Sequence, residues 1–285
     1  MNIVFSDVDG TFQDFGQAIP PINLAAVRAL HDQGDHFVFV TGRGYELAQE
    51  LLTTTNLPCD IIFGNGAGIK LENEEPQLGN CLDHQVCLEL LSRLESENTF
   101  YFIHTDQGVF VNTITRYHKH FEDLHDKFEA ELGTIGAEIM DYKEVYFTKE
   151  CHNVLSVPAF IQEHPELNII KIELMEADDL QKESLRDKLA IEDAYIFESY
   201  QQTLEVVNPL ATKGAAILSY LKNFPKAKSY GFGDGENDVP MFEVVDVSIA
   251  MANANTDVKA VCMEQAGECA AGGLGTYIFD HLIQK

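Results

Sequence analysis

Asp7 and Asp9 stand one residue apart in VFSDVDGTF (positions 4–12), directly behind an apolar run and just ahead of a glycine. Carboxylates that close repel one another, and each raises the cost of ionising its neighbour. A folded chain tolerates the pair where a cation or open solvent takes up the charge. GDGEND (233–238) poses the same problem with acids at three of five positions, Asp234, Glu236 and Asp238, an expensive turn unless a cation is held there. Between these segments HFVFVTGRG supplies Thr41, Gly42 and Arg43, CDIIFGNGAGIK supplies Asn65 and Gly66, and Lys213 opens an amphipathic helical run. Carboxylates, a hydroxyl, glycine amides and a lysine are the groups that bind a phosphoryl group beside a divalent cation. Taken singly, each segment has a plainer reading. Asp-x-Asp-Gly serves as an Asx turn, Thr41 as the N-cap of a strand-to-helix turn, and Lys213 as a solvated helix residue.

The elements that must carry these residues separate the two readings. MNIVFSD is a short buried strand, and NLAAVRALHDQG (23–34) has helical apolar spacing closed by Gly34, a usual helix stop. HFVFVTGRG is an aromatic and β-branched run breaking into a glycine-containing turn, YELAQELLTTTN a helix, and CDIIFGNGAGIK another strand with a glycine-rich exit. This alternation predicts a parallel sheet covered on both faces. It resumes late with TKGAAILSYLKNF (212–224) as a helix, AKSYGFGD as a strand and VPMFEVVD as a short helix. VSIAMANA (247–254) reads as a further strand, and NTDVKAVCMEQ as a helix. From 83 to 190 the texture changes to acidic helices, such as HKHFEDLHDKFEAEL, and short strands such as TFYFIHT, GVFVN and NIIKIEL. The expected architecture is therefore α/β, a core of 1–82 and 191–285 with a central parallel sheet, interrupted by an inserted α+β domain at 83–190. In an open parallel sheet, ligands bind at the carboxyl ends of the strands, where all four polar segments fall.

Composition narrows the partners. The net charge of −27, from 46 acidic against 19 basic side chains, argues against nucleic acid or an anionic membrane surface. A small phosphorylated ligand remains compatible if the site supplies its own positive charge. No stretch approaches the roughly 18 consecutive apolar residues that span a bilayer. The first residues lack the pattern of a secretory signal. The six cysteines include no C-x-x-C pair, so free thiols in a reducing cytoplasm are expected rather than structural zinc. Competing motifs fail on spacing. DGENDVPMFEVV has Val239 where a calcium loop needs its glycine, GNGAG and GFGDG miss the dinucleotide fingerprint, and no nucleotide P-loop is present.

In this order, DVDGT, VTGRG, TKG and GDGENDVPM resemble the four signature motifs of the haloacid dehalogenase-like (HAD) phosphatases. The long insertion, with GNGA ahead of it, is similar to the Cof-type subfamily, whose Rossmann-like core bears a type C2B cap. The resemblance implies that Asp7 is a nucleophile forming an aspartyl-phosphate, and that Asp9 protonates the leaving alcohol and then deprotonates water. It implies Mg²⁺ between Asp7, the main-chain carbonyl of Asp9 and Asp234. Thr41, the Gly42 amide and Lys213 would hold the phosphoryl oxygens. Asp238 would orient Lys213 or the water around the metal, and Asn237 would reach the phosphoryl oxygens or the metal's surroundings. Arg43, beside the phosphate loop, either pairs with an acid of the sheet edge or touches substrate, and Glu236 receives no role. The implied substrate is a small phosphorylated metabolite, sugar phosphates first, handled by a monomer or homodimer. The alternatives are a phosphosugar mutase of the same fold and a phospho-ligand sensor without turnover.

Overall fold

The computed structural model describes residues 1–14, 16–200 and 202–283. Along the chain the first unit begins with β1 (Asn2–Ser6), α1 (Pro21–Asp32), β2 (His36–Val40), α2 (Tyr45–Thr55) and β3 (Asp60–Phe63). The central strands β1 to β3 are apolar at every buried position but Ser6, because both of their faces are covered. Val4, Phe37, Phe39, Ile61 and Phe63 enter one core, and Ile3, Phe5, Val38, Val40 and Ile62 enter the other. The chain then reverses. Gly64–Gly66 form a tight turn with Asn65 at φ 56°, and β4 (Gly68–Lys70) runs antiparallel to β3, followed by antiparallel β5 (Gln77–Leu78). Gly68 lies opposite Phe63, where a Cβ would sit 2.2 Å from the ring, so the reversal requires a glycine there. CDIIFGNGAGIK is thus a hairpin and not a single strand, and the expected parallel sheet is mixed at this edge.

Cys81–Pro209 form a second compact unit. Its elements are α3 (His84–Ser96), β6 (Phe100–Thr105), β7 (Gly108–Asn112), α4 (His118–Leu132), α5 (Thr134–Val145), β8 (His152–Val154), α6 (Val157–Glu163), β9 (Ile169–Met175), α7 (Asp179–Leu189), β10 (Tyr195–Tyr200) and β11 (Thr203–Val207). The six strands lie in the order β10-β11-β9-β6-β7-β8, antiparallel except for β7 with β8. The entry near 83 lies close to this unit's start, but the return expected at 191 does not. β11 pairs with β9 and β10 with β11 in the inserted sheet, so the return falls at Leu210.

The first unit resumes with α8 (Lys213–Leu221), β12 (Lys228–Gly233), α9 (Val239–Phe242), β13 (Val247–Ala250), α10 (Thr256–Val261), β14 (Glu264–Gln265) and α11 (Gly273–His281). Its eight strands lie in the order β14-β13-β12-β1-β2-β3-β4-β5, parallel from β14 to β3. The strand expected over 247–254 stops at Ala250. There Met251 donates its amide to Gly233 and Ala252 to Gly267, drawing the chain into a turn. Among the described residues no helix is long and apolar enough to cross a membrane.

The inserted sheet buries charge on one face. Lys171 on β9 lies 2.9 Å from both Glu173 and Glu205, and His104 on β6 lies 3.1 Å from Glu173. Burial opposes ionisation of Glu173, but Lys171 and His104 outweigh it and hold the carboxyl below its ordinary range. Removing one member of such a group leaves buried charge without its counterion. Lys171→Met is expected to destabilise the protein by about 3–5 kcal/mol, read as a lower urea midpoint. Combining it with Glu173→Gln and Glu205→Gln should recover part of that loss.

Candidate active site

Asp7 is the first residue beyond β1, the strand flanked by β2 and β12, and its amide continues the ladder by donating to the Phe232 carbonyl at 2.9 Å. The chain then turns sharply, because the Val8 carbonyl accepts from the amides of Thr11, Phe12 and Gln13 at 3.3, 2.9 and 2.9 Å. Val8 and Phe12 are wholly buried and pin this turn to the core. Asp7 is 6% exposed, while the Asp9 side chain keeps 48% exposure. Two acids one residue apart therefore meet opposite environments.

Lys213 opens α8, whose N-cap Thr212 accepts from the Ala215 amide at 3.2 Å. Its ammonium is fully buried and donates to Asp7 Oδ1 at 2.5 Å and to Asp238 Oδ1 at 2.6 Å. The other Asp238 oxygen accepts from the amides of Asp234 and Gly235, each at 2.9 Å. Asp238 is thus fixed on both oxygens and fixes Lys213 in turn. Asp234 Oδ1 accepts from the Thr11 hydroxyl at 2.6 Å. Gly10, at φ +84°, packs so closely on Asp234 that a Cβ would lie 2.3 Å from its Oδ2.

The loop after β2 supplies the neighbouring wall. Thr41 is buried, donates its amide to the Ile62 carbonyl at 2.9 Å, and accepts at its hydroxyl from the Arg43 amide at 3.1 Å. The Asn65 amide donates to the Thr41 carbonyl at 2.9 Å, and its side chain lies against Gly42, where a Cβ would come within 3.2 Å. Asn237 donates to Asn65 Oδ1 at 3.2 Å. Arg43 resolves its two readings toward the acid: Nε and Nη2 donate to the two Asp9 oxygens at 2.9 and 2.7 Å.

Carboxylate oxygens of Asp7, Asp234 and Asp238 approach within 4.8 Å of one another. The expected metal set is Asp7, the main-chain carbonyl of Asp9 and Asp234. Among side-chain carboxylates Asp238 groups with Asp7 and Asp234, while the Asp9 carboxylate pairs with Arg43. Both Asp238 oxygens are engaged, whereas the hydrogen bonds described above take only Oδ1 of Asp7 and Oδ1 of Asp234, so those two carboxylates keep the most capacity for a cation. Burial, together with repulsion from Asp238, Asp234 and Asp9, pushes the Asp7 carboxyl well up despite the opposing Lys213 ammonium. Burial and Asp238 push Asp234 up to about 7, against the Thr11 hydrogen bond and Lys213. Burial works against the Lys213 charge, but Asp238 and Asp7 hold its pKa above the ordinary lysine value. Three clustered acids face one ammonium, and the excess negative charge fits a divalent cation.

Three contributors escaped the reading of the sequence. Thr11 sits inside DVDGT, but its hold on Asp234 spans 223 positions. Asn65 was placed at a strand end without a role, and its left-handed backbone beside two glycines was the available signal. Asn253 donates to the Gly10 carbonyl at 2.7 Å, and only its polarity within VSIAMANA hinted at it.

A family model described as haloacid dehalogenase-like hydrolase matches residues 4–278. Phosphatase YwpJ of Bacillus subtilis is 25% identical over 284 residues, covering 92% of this chain and 93% of the relative. A haloacid dehalogenase-like hydrolase structure from B. subtilis superimposes with a TM-score of 0.83 at 20% identity, covering 99% of this chain and 100% of the other. A HAD subclass IIB sugar phosphatase superimposes at 0.75 with 18% identity and complete coverage of both chains.

A raised acid binds more protons folded than unfolded, so Asp234 takes stability away as pH rises from its ordinary value toward about 7. A divalent cation opposes that loss by binding the ionised form. The rise in Tm produced by Mg²⁺ is therefore expected to be larger at about pH 8 than at about pH 5, measured by scanning fluorimetry with a chelator control.

Proposed function

The chain belongs to the haloacid dehalogenase-like hydrolases, and on that premise we propose that it is a cytoplasmic, Mg²⁺-dependent phosphatase of Cof type. Its substrates are small phosphate monoesters, sugar phosphates or related metabolites. The observation that carries this reading is the buried Lys213 ammonium, 2.5 Å from one oxygen of Asp7, which leaves the other oxygen of that carboxylate for attack. A sugar phosphatase of the same fold supports sugar phosphates as the first substrates to test.

Asp7 Oδ2 attacks phosphorus, the bond from phosphorus to the leaving alcohol breaks, and Asp9 delivers a proton to that alcohol. Asp9 then takes a proton from water, whose oxygen attacks phosphorus and releases Asp7. Arg43 donates one hydrogen bond to each Asp9 oxygen and so orients the carboxylate, and each oxygen keeps a second lone pair for the proton. The Thr41 hydroxyl, the Gly42 amide and Lys213 meet the phosphoryl oxygens, with Asn237 held nearby by Asn65. Mg²⁺, held by Asp7, Asp234 and the Asp9 main chain, would neutralise the phosphate against its anionic attacker. Lys213 does part of that work permanently, because Asp238 keeps it in place through every step.

p-Nitrophenyl phosphate and a panel of sugar phosphates test the reading. Turnover is expected with Mg²⁺, abolished by chelator, and reduced at least about a thousandfold in Asp7→Asn. Turnover that survives in purified Asp7→Asn would sink the covalent mechanism.

A further inference from the structure

We propose that Asn253 is a positioning residue of this site, acting through the Gly10–Thr11 peptide on Asp234. The inference rests on the phosphatase reading above and deepens it. Asn253 lies in the turn beyond β13 and spans two distant segments through its amide. Nδ2 donates to the Gly10 carbonyl at 2.7 Å, and Oδ1 accepts from the Cys269 amide at 3.0 Å. The turn that presents it is fastened independently, by Met251 donating to the Gly233 carbonyl at 3.0 Å and Ala252 to that of Gly267 at 3.2 Å. Gly233 immediately precedes Asp234, so the same turn grips both segments that meet at the carboxylate.

Gly10 has the left-handed φ that a glycine adopts freely, and its neighbours supply the restraint its own side chain cannot. Its amide is held by the Gln13 carbonyl at 2.9 Å, and its Cα lies against Asp234. The next residue, Thr11, donates its amide to Val8 and its hydroxyl to Asp234 Oδ1 at 2.6 Å. Rotation of the Gly10–Thr11 peptide would move the Thr11 hydroxyl and free Asp234 to turn. Asn253 opposes that rotation from the carbonyl side. Its side chain is exposed, so replacing it removes two hydrogen bonds and no core packing.

Asn253→Ala and Asn253→Asp in the full chain separate positioning from plain support. Asp keeps the size and the acceptor for the Cys269 amide, but sets a carboxylate against the Gly10 carbonyl. In both variants the Mg²⁺ concentration for half-maximal activity is expected to rise about 10–100-fold, the range seen when groups supporting a metal ligand are lost. KM for substrate should stay within about twofold, and the Mg²⁺-induced Tm shift should shrink in parallel. Asn253→Asp should be at least as impaired as Asn253→Ala. An Asp variant with wild-type Mg²⁺ response, or an Ala variant that loses only metal-free Tm, overturns the proposal. A wild-type protein with neither turnover nor a Mg²⁺-induced Tm shift overturns the phosphatase reading, and this inference with it.

Discussion

A fully buried ammonium between two buried carboxylates is the contact on which the rest of the site depends. Lys213 would be costly to bury alone, and so would Asp7 or Asp238. Together they satisfy one another only if three chain segments, more than 200 positions apart at the extremes, arrive within hydrogen-bond distance. The parallel sheet makes that arrival possible, because β1 and β12 are hydrogen-bonded neighbours running the same way. Their carboxyl ends present Asp7 and the 234–238 loop side by side. α8 contributes through close packing at its start, where a Cβ on Gly214 would lie 2.1 Å from the Pro240 carbonyl. The short helix that follows Asp238 is thereby held against the helix that begins with Lys213.

The same geometry gives Asp7 and Asp9 different chemistry. Val8 between them is wholly buried, and its two neighbours differ in exposure, 6% for Asp7 against 48% for the Asp9 side chain. Asp7 lies beside an ammonium with an unfilled excess of acid around it, and Asp9 lies near solvent in a two-point contact with Arg43. A pair of acids in one turn thus divides into a buried nucleophile candidate and an accessible proton carrier.

β1, β2, β3, β12 and β13 were legible in the sequence because burial on both faces leaves an apolar run with no alternation to confuse, whereas the two-residue β14 lay within a run that reads as helix. The strand-end acids and Thr41 were legible for the complementary reason, since polar groups straight after such a run mark the edge of the sheet. Lys213 read alone looks like a solvated helix residue, and nothing local says otherwise. Its burial follows from Asp7 and Asp238, both far along the chain. The return from the insert was misplaced for the same cause. Tyr195–Tyr200 and Thr203–Val207 are good strand sequences for either sheet, and only the pairing of the second with β9, and of the first with the second, assigns them to the inserted one. The hairpin at Gly68 was missed because its requirement for glycine comes from the Phe63 ring across the turn.

Electrostatics then connects the site with the whole chain. A protein of net charge −27 repels a phosphate dianion at long range, but screening limits that repulsion to roughly 8 Å at physiological ionic strength. Inside that distance the local balance decides, and there Asp7, Asp234 and Asp238 outnumber Lys213. Without a further cation, this arrangement would disfavour an approaching phosphate dianion. The acidic surface and the acidic cluster therefore act in one direction, since both raise the local concentration of divalent cations. Lys213 relieves that excess only in part, because two of its three donors serve Asp7 and Asp238 and one remains for a phosphoryl oxygen. On the proposed reading, the lysine organises the acids and a cation drawn to them would complete the charge balance for the substrate.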